Sequence, residues 1–121
     1  MIIVKLPSAN QNRTVLFYTN YFGFQRRGAH GPVVWIKGTS GFSLAIEEVE
    51  RKEEFPPTFR LEFLMDSRHE AEAVLDALLK DGVEVTYPLC WSSDVSIAFS
   101  ANDPDGRCVF VYWIVDENLM K

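Results

Sequence analysis

The chain is poor in the residues that form metal centres and covalent crosslinks. Its 121 residues include two cysteines and two histidines. Cys90 and Cys108 form no CxxC motif, and Cys108 lies among strand-forming residues, so we expect reduced thiols rather than a disulfide. Reduced thiols are typical of the cytoplasm. His30 has no neighbouring metal ligand, and His69 lies on the solvent side of a predicted helix, so neither indicates a metal centre.

Several patterns that indicate a function are also missing. The sequence contains no phosphate-binding loop, no dinucleotide-binding glycine motif and no nucleophile elbow. It has no uncharged apolar run long enough to span a membrane, and its first residues lack the pattern of a signal peptide. The net charge of −5 argues against nucleic acid or an anionic membrane as a partner. We therefore expect a soluble, cytoplasmic protein with neither of these partners.

The composition is that of an ordinary globular protein. Hydrophobic residues make up 47% of the chain and charged residues 24%. A chain of this length can bury a sizeable core without crosslinks. We therefore expect residues 1–121 to form a single domain.

The pattern of residues predicts the same series of elements twice. The first module, residues 1–50, has a strand, a helix that stops at Gly23, and three further strands. A turn is predicted at 28–32, because glycine and proline cluster there. The predicted elements of this module are a strand over 1–6, a helix over 13–22, and strands from 25, over 33–37 and over 42–49.

The second module, residues 59–115, repeats this order after a charged, proline-containing joint at 51–58. Its helix begins with the capping box Ser67-Arg68-His69-Glu70 and continues with apolar residues at helical spacing. The other predicted elements are strands over 59–65, 83–87, 95–99 and 108–113. An internal repeat of this length indicates that each half needs the other to complete a core.

The stretch Ser100–Trp113, SANDPDGRCVFVYW, is the most informative part of the second module. Its proline, glycine and aspartates are typical of a turn. The residues that follow are strand formers and are apolar on both faces. Both faces of this last strand are therefore expected to be covered.

Two segments within this duplicated pattern, LFYTNYFGFQ (Leu16–Gln25) and DPDG (Asp103–Gly106), resemble the vicinal-oxygen-chelate superfamily. This group includes glyoxalase I, the bleomycin-resistance proteins and the extradiol dioxygenases. The resemblance covers nearly the whole chain and implies an α+β fold of two βαβββ modules. Their curved mixed sheets would surround a concave site, with helices on the outer faces. The resemblance also implies a homodimer with sites near or across the subunit interface.

The enzymes of that superfamily hold a divalent metal through a His or similar residue on the first strand of each half and a Glu on the last. The matching positions here are Ile3, Arg60, Phe110 and either Ala45 or Glu47. Ile3 and Phe110 offer no lone pair, and Arg60 brings a permanent positive charge that repels a cation. We therefore predict neither a metal nor any other cofactor.

The concave faces would then carry aromatic and charged side chains. If Phe110 faces the site, strand alternation turns Tyr112 the same way, and Arg60 and Glu62 face inward from their own strand. Aromatic walls with a few fixed charges are typical of small-molecule sites. In the opposite interpretation, the charges pair across the sheet and the rings fill the core. The candidate ligand-binding residues are Trp35, Glu47, Arg60, Glu62, Trp91, Phe110 and Tyr112.

The leading hypothesis is a metal-free small-molecule-binding protein of the bleomycin-resistance type. It would sequester a small, partly aromatic ligand, which can be anionic because Arg60 is available to pair with an acid. A second hypothesis is a metal-independent isomerase or lyase in which Glu47 or Glu62, buried, acts as a general base. A third is an interaction module whose cavity is filled by its own side chains. The sequence identifies no catalytic residue and no particular antibiotic.

Overall fold

The computed structural model describes residues 2–38, 41–51, 60–87 and 96–114. The contacts within the chain define two compact units. The first comprises Met1–Pro56 together with Asp103–Gly106, and the second comprises Pro57–Asn102 together with Arg107–Lys121. Among the described residues, no helix is long and apolar enough to cross a membrane.

The first unit is a four-stranded mixed sheet with one helix. The sheet has the order β1-β4-β3-β2, in which β1 is parallel to β4 and the other neighbours are antiparallel. The helix packs against β2, β3 and β4. The elements are β1 (Ile2–Ser8), α1 (Gln11–Phe22), β2 (Gln25–His30), β3 (Val33–Lys37) and β4 (Phe42–Glu48).

The second unit is a three-stranded mixed sheet with one helix. The sheet has the order β5-β7-β6, with β5 parallel to β7 and β6 antiparallel to it. Its elements are β5 (Arg60–Leu64), α2 (Arg68–Lys80), β6 (Ser96–Asn102) and β7 (Cys108–Ile114). The predicted α+β class with two modules is therefore confirmed.

Two of the predicted elements are wrong in detail. The turn expected at 28–32 begins only at Gly31, because β2 runs on to His30 and takes up the glycine with a bulge between Arg26 and Gly28. The strand expected at 83–87 is a single bridge, in which Thr86 and Ser100 exchange two backbone hydrogen bonds of 2.8 Å. Period-two hydrophobicity does not by itself provide a neighbouring strand with which to form a ladder.

Helix α2 begins as its sequence predicts. The Ser67 hydroxyl accepts a hydrogen bond from the Glu70 backbone N–H at 3.1 Å. In return, the Glu70 carboxylate accepts one from the Asp66 backbone N–H at 3.1 Å. The first bond satisfies a donor that the helix itself leaves unpaired, and the second ties the residue before the cap to the first turn. The helix buries Ala71, Val74 and Leu78 and packs against β6 and β7.

Helix α1 begins differently. Asn10 precedes it but makes no side-chain capping bond. The nearby polar groups are instead satisfied by Asp105, whose carboxylate accepts from the Ser8 hydroxyl (2.5 Å), the Thr14 hydroxyl (2.7 Å) and the Ala9 N–H (2.9 Å). Asp105 is 2% exposed and Thr14 is fully buried. The turn Asp103–Gly106 therefore packs within the first unit, where it supplies the acceptor for the polar groups at the start of α1.

A second aspartate of the same turn anchors the middle of α1. The Tyr18 hydroxyl donates to Asp103 at 2.7 Å, and Asp103 also accepts from the Asp105 N–H at 3.0 Å. Thr14 and Tyr18 are one helical turn apart and therefore lie on the same face of the helix. Two hydroxyl-bearing side chains on the buried face of a helix indicate a buried polar partner, a signal that the sequence analysis missed.

Each sheet has one face covered by its helix. In the first unit this face carries Leu6, Val34, Ile36, Leu44 and Ile46, all buried. In the second unit it carries Phe99, Ala101, Val109 and Val111, also buried. We call the opposite face of each sheet its front face.

Candidate ligand-binding site

The register of the second sheet places four of the candidate residues on its front face. Because β5 and β7 are parallel, paired residues point to the same side. Glu62 of β5 pairs with Phe110 of β7. Arg60 lies two residues before Glu62, and Tyr112 lies two residues after Phe110, so all four side chains are on the same face. The helix-side neighbour Trp113 lies on the other face, where its ring is 5.9 Å from Cζ of Arg68 of α2.

These four side chains contact one another. Cζ of Arg60 lies 4.9 Å from the centroid of the Phe110 ring, a cation–π geometry. Arg60 also forms an ion pair with Glu62, with 3.1 Å between Nη2 and Oε1. The rings of Phe110 and Tyr112 lie 5.6 Å apart with a tilt of 53°. The result is a charged pair placed directly beside a pair of aromatic rings.

Neither of the two charged side chains is buried. The side chains of Arg60 and Glu62 are 50% and 43% exposed, whereas Phe110 is only 9% exposed. Arg60 and Glu62 neutralise each other within the same strand, so neither needs a buried residue of opposite charge elsewhere. One side of the guanidinium rests on the Phe110 ring, and the Arg60 side chain is otherwise half exposed to solvent.

Strand β6 adds residues to the front face that sequence analysis missed. Ser100 pairs with Phe110, Ala98 with Tyr112, and Asn102 with Cys108, which precedes the ring pair on the same face. The turn at Asp103–Gly106 sets this hairpin register, so counting outward from the turn identifies these partners. The front face of the second sheet therefore has charged residues on β5 (Arg60, Glu62), aromatic residues on β7 (Phe110, Tyr112) and small or polar residues on β6 (Ala98, Ser100, Asn102).

The remaining candidates lie in the first unit or outside the described residues. Trp35 and Glu47 share the front face of the first sheet, where Trp35 is half-buried. Oε2 of Glu47 lies 2.9 Å from Nζ of Lys5, which is on the same face. Trp91 and Cys90 lie outside the described residues.

The strand registers decide between Ala45 and Glu47, the two residues that the sequence allowed at the matching position on the last strand of the first unit. Arg60 pairs with Cys108, and Phe110 is two residues further along β7. In the first unit Ile3 pairs with Ser43, and the residue two positions further is Ala45. Ala45 is therefore the counterpart of Phe110, and Glu47 is not.

The residues at the four matching positions do not fit a divalent cation. An isoleucine, an alanine and a phenylalanine provide no donor atom, and the fourth position holds the guanidinium that rests on Phe110. Among the described residues, no three His, Cys, Asp or Glu side chains gather in a metal-binding cluster. The side chains at these four positions therefore do not form a set of ligands for a divalent metal ion.

The carboxylates considered as general bases are not buried. Glu62 is 43% exposed and paired with Arg60, and Glu47 is 30% exposed and paired with Lys5. Cys108, the other reactive group on the front face of the second sheet, is a free and half-buried thiol. The arrangement provides charge and ring contacts for binding but, among the described residues of this face, no base held away from water.

The fold recurs in solved structures. A possible glyoxalase from Bacillus cereus is 23% identical and superposes with a TM-score of 0.78, over 92% of this chain and 96% of that one. A lactoylglutathione lyase from Agrobacterium tumefaciens is 17% identical with a TM-score of 0.70, over 93% and 92%. TnmS3, an antibiotic binding protein from Streptomyces sp. CB03234, is 21% identical with a TM-score of 0.67, over 94% and 95%.

At these identities the structural likeness establishes the fold alone. No curated protein sequence matches the chain significantly. A family model does match, over residues 3–108, which is most of the chain and covers parts of both units. The chain belongs to the Glyoxalase/Bleomycin resistance protein/Dioxygenase superfamily.

Proposed function

We propose that this protein is a metal-free small-molecule-binding member of its superfamily. Its ligand is partly aromatic and carries an acidic group, and it binds at the front face of the second sheet. The observation that carries the proposal is the guanidinium of Arg60, held 4.9 Å from the Phe110 centroid with the Tyr112 ring beside it.

The chemistry of this face suits such a ligand. A half-exposed guanidinium can donate two parallel hydrogen bonds to a carboxylate, and its plane can be covered by a ring. The Phe110 ring beneath it keeps the guanidinium in place, so less side-chain freedom is lost when the ligand binds. Tyr112 offers an aromatic surface with a polar end for the flat part of the ligand.

The chemistry of the residues at the four matching positions supports the metal-free part of the proposal. The positions that hold a metal in the enzymes of the superfamily are Ile3, Ala45, Arg60 and Phe110 here, and none of these is a ligand for a divalent cation. That TnmS3 is an antibiotic binding protein indicates that this fold can serve binding. The same use, with an unidentified ligand, is proposed for this chain.

The other candidates and the assembly state belong to the proposal as well. Trp35, Glu47 and Trp91 are proposed to contribute to ligand binding, and the protein is proposed to act as a cytoplasmic homodimer. Light scattering on purified protein measures the dimer directly. A purely monomeric protein at micromolar concentration would contradict that part while leaving the front-face site open to test.

A matched pair of arginine variants tests the site. Arg60 and Arg68 are each about half exposed, each pairs with a glutamate and each lies over an aromatic ring, but Arg68 is on the helix side. A panel of aromatic carboxylates is screened by thermal shift, and the hits are measured by calorimetry. Arg60→Ala is expected to lose most of the affinity for these hits, whereas Arg68→Ala keeps it.

Two results would overturn the proposal. Stoichiometric zinc, nickel or iron in protein purified without chelators would contradict the metal-free part. Equal affinity of the wild type and Arg60→Ala for every hit would remove the front face of the second sheet as the site. The isomerase or lyase alternative requires turnover of a hit, and the half-exposed, ion-paired carboxylates give it no support among the described residues.

A further inference from the structure

We propose that Glu62 is the specificity-determining residue of this front face, and that it selects ligands in which a cationic group stands next to the acidic one. The inference rests on the proposed function, because it concerns the ligand of that same site. The class of ligand inferred here is an aromatic zwitterion, which carries a cationic group as well as the acidic group of a simple aromatic acid.

The two charges of the front face form one recognition unit. Arg60 and Glu62 are separated by one residue of an extended strand, so both side chains leave the sheet on the same side. Nη2 and Oε1 are 3.1 Å apart, and both side chains remain about half exposed. An incoming group therefore meets a positive and a negative charge within a few ångströms of each other.

The other described side chains on the strands of this face are uncharged. Among the side chains that the structure describes on β5, β6 and β7, its other members are uncharged: Leu64, Ala98, Ser100, Asn102, Cys108, Phe110, Tyr112 and Ile114. The charges that a ligand meets on this face are therefore those of the Arg60–Glu62 pair, which is neutral as a whole. A plain carboxylate gains an attraction to Arg60 but also meets a repulsion from Glu62, whose Oε1 lies 3.1 Å from Nη2 of Arg60.

A ligand with both charges avoids this conflict. Its acidic group pairs with the guanidinium of Arg60. Its cationic group pairs with the carboxylate of Glu62, which is the partner of Arg60 when no ligand is bound. The separation of the two charges in an α-amino acid is of the same order as the Arg60–Glu62 contact. The aromatic part then lies toward Phe110, which pairs with Glu62 across the sheet, and toward Tyr112.

The fold does not require Glu62. An ion pair between two half-exposed side chains contributes little to stability. Among the described residues, Arg60 is the partner that the structure gives Glu62, and the backbone of β5 is held by its ladder with β7. A glutamine can take the same position and keep a hydrogen bond to Arg60 while removing the charge.

Three probes isolate the two charges. Phenylalanine carries both, 3-phenylpropionate carries only the acid, and phenethylamine carries only the cation. Binding is measured by ligand-observed NMR and calorimetry to the wild type, Glu62→Gln and Glu72→Gln. Glu72 is a matched control, because it pairs with Arg68 at 2.8 Å and is 47% exposed but lies on α2.

We expect the wild type to bind phenylalanine more tightly than either single-charge probe. Glu62→Gln should bind phenylpropionate about two- to fivefold more tightly and phenylalanine weaker by a similar factor, the range that exposed ion pairs span. Glu72→Gln should leave all three affinities unchanged. Circular dichroism and urea unfolding verify that both variants are folded.

The outcomes separate this inference from the proposed binding function. If Glu62→Gln leaves the ratio of phenylalanine to phenylpropionate affinity unchanged, Glu62 does not select the ligand. The binding function still stands in that case if Arg60→Ala loses phenylpropionate. If the wild type binds none of the three probes, the front-face site itself is contradicted together with the inference.

Discussion

The two helices of this protein occupy equivalent places in the two units but begin by different means. Helix α2 begins at Ser67, whose hydroxyl caps the Glu70 N–H three residues away. Helix α1 begins after Asn10, which makes no side-chain cap, beside Asp105, which is distant in sequence. One start is built from neighbouring residues and the other from a distant turn, so the same helical position depends on different parts of the chain.

Burial explains why the distant arrangement matters more. Ser67 and Glu70 are in contact with water, which can replace a lost capping bond. Asp105 is 2% exposed and receives three hydrogen bonds from groups that water does not reach easily. Removal of its carboxylate takes the acceptor from the buried Thr14 hydroxyl and the part-buried Ala9 N–H and leaves the Ser8 hydroxyl with the Thr14 oxygen at 3.1 Å. Loss of the acceptor for a buried donor costs more than the loss of a solvated bond.

The largest effect is therefore expected from Asp105→Ala. We expect it to lower the free energy of unfolding by about 2–4 kcal/mol, because the Thr14 hydroxyl and the Ala9 N–H lose their acceptor and the Ser8 hydroxyl keeps only the Thr14 oxygen. Urea unfolding followed by circular dichroism measures this change. Asp105→Asn, which keeps the shape and one acceptor oxygen, should lose less. A loss for Asp105→Ala no larger than that for a solvated cap would break the comparison.

A smaller effect is expected at the local cap. Ser67→Ala removes the side-chain bond to Glu70 and should lower the free energy of unfolding by about 1 kcal/mol. The same urea titration measures it, and Ser67→Asp serves as the control that restores an acceptor at this position. A loss as large as that of Asp105→Ala would show that the local cap is not the weaker of the two.

The smallest effect is expected at the corresponding residue of the first unit. Asn10 accepts no capping bond, and its side-chain contact with the Pro104 carbonyl is 3.5 Å long. Asn10→Ala should therefore change the free energy of unfolding by less than about 0.5 kcal/mol, because it removes no capping bond and only one long hydrogen bond. A loss equal to that of Ser67→Ala would contradict this expectation and indicate that the Asn10 side chain stabilises the start of α1.

The candidate site shows a related contrast. The Arg60–Glu62 pair is half exposed and contributes little to stability, whereas the buried cluster around Asp105 is satisfied and belongs to the fold. Variants of the pair are expected to change ligand affinity more than stability, and variants of the cluster the reverse. Exposure thus decides whether a group of paired polar side chains is available to a ligand or serves the fold.

Much of the fold could be predicted from local patterns. The repeated order of strand and helix, the capping box at Ser67 and the helix stop at Gly23, where φ is +70°, are properties of short segments. The resemblance carried by LFYTNYFGFQ and DPDG led to the superfamily, which the family model confirms. The alternation of residues along β5 and β7 also grouped Arg60, Glu62, Phe110 and Tyr112 in advance.

Tertiary structure decided the rest, because it depends on residues that are far apart in sequence. The choice of Ala45 over Glu47 follows from strand pairing, and the exposure of Arg60 and Glu62 depends on what the rest of the chain places beside them. The reduction of the strand expected at 83–87 to one bridge follows from which backbone groups find a partner. The sequence by itself determined where most helices and strands form, since hydrophobic period and caps act over a few residues. Only tertiary structure decided which polar groups are buried and paired, because burial depends on what the rest of the chain places beside them.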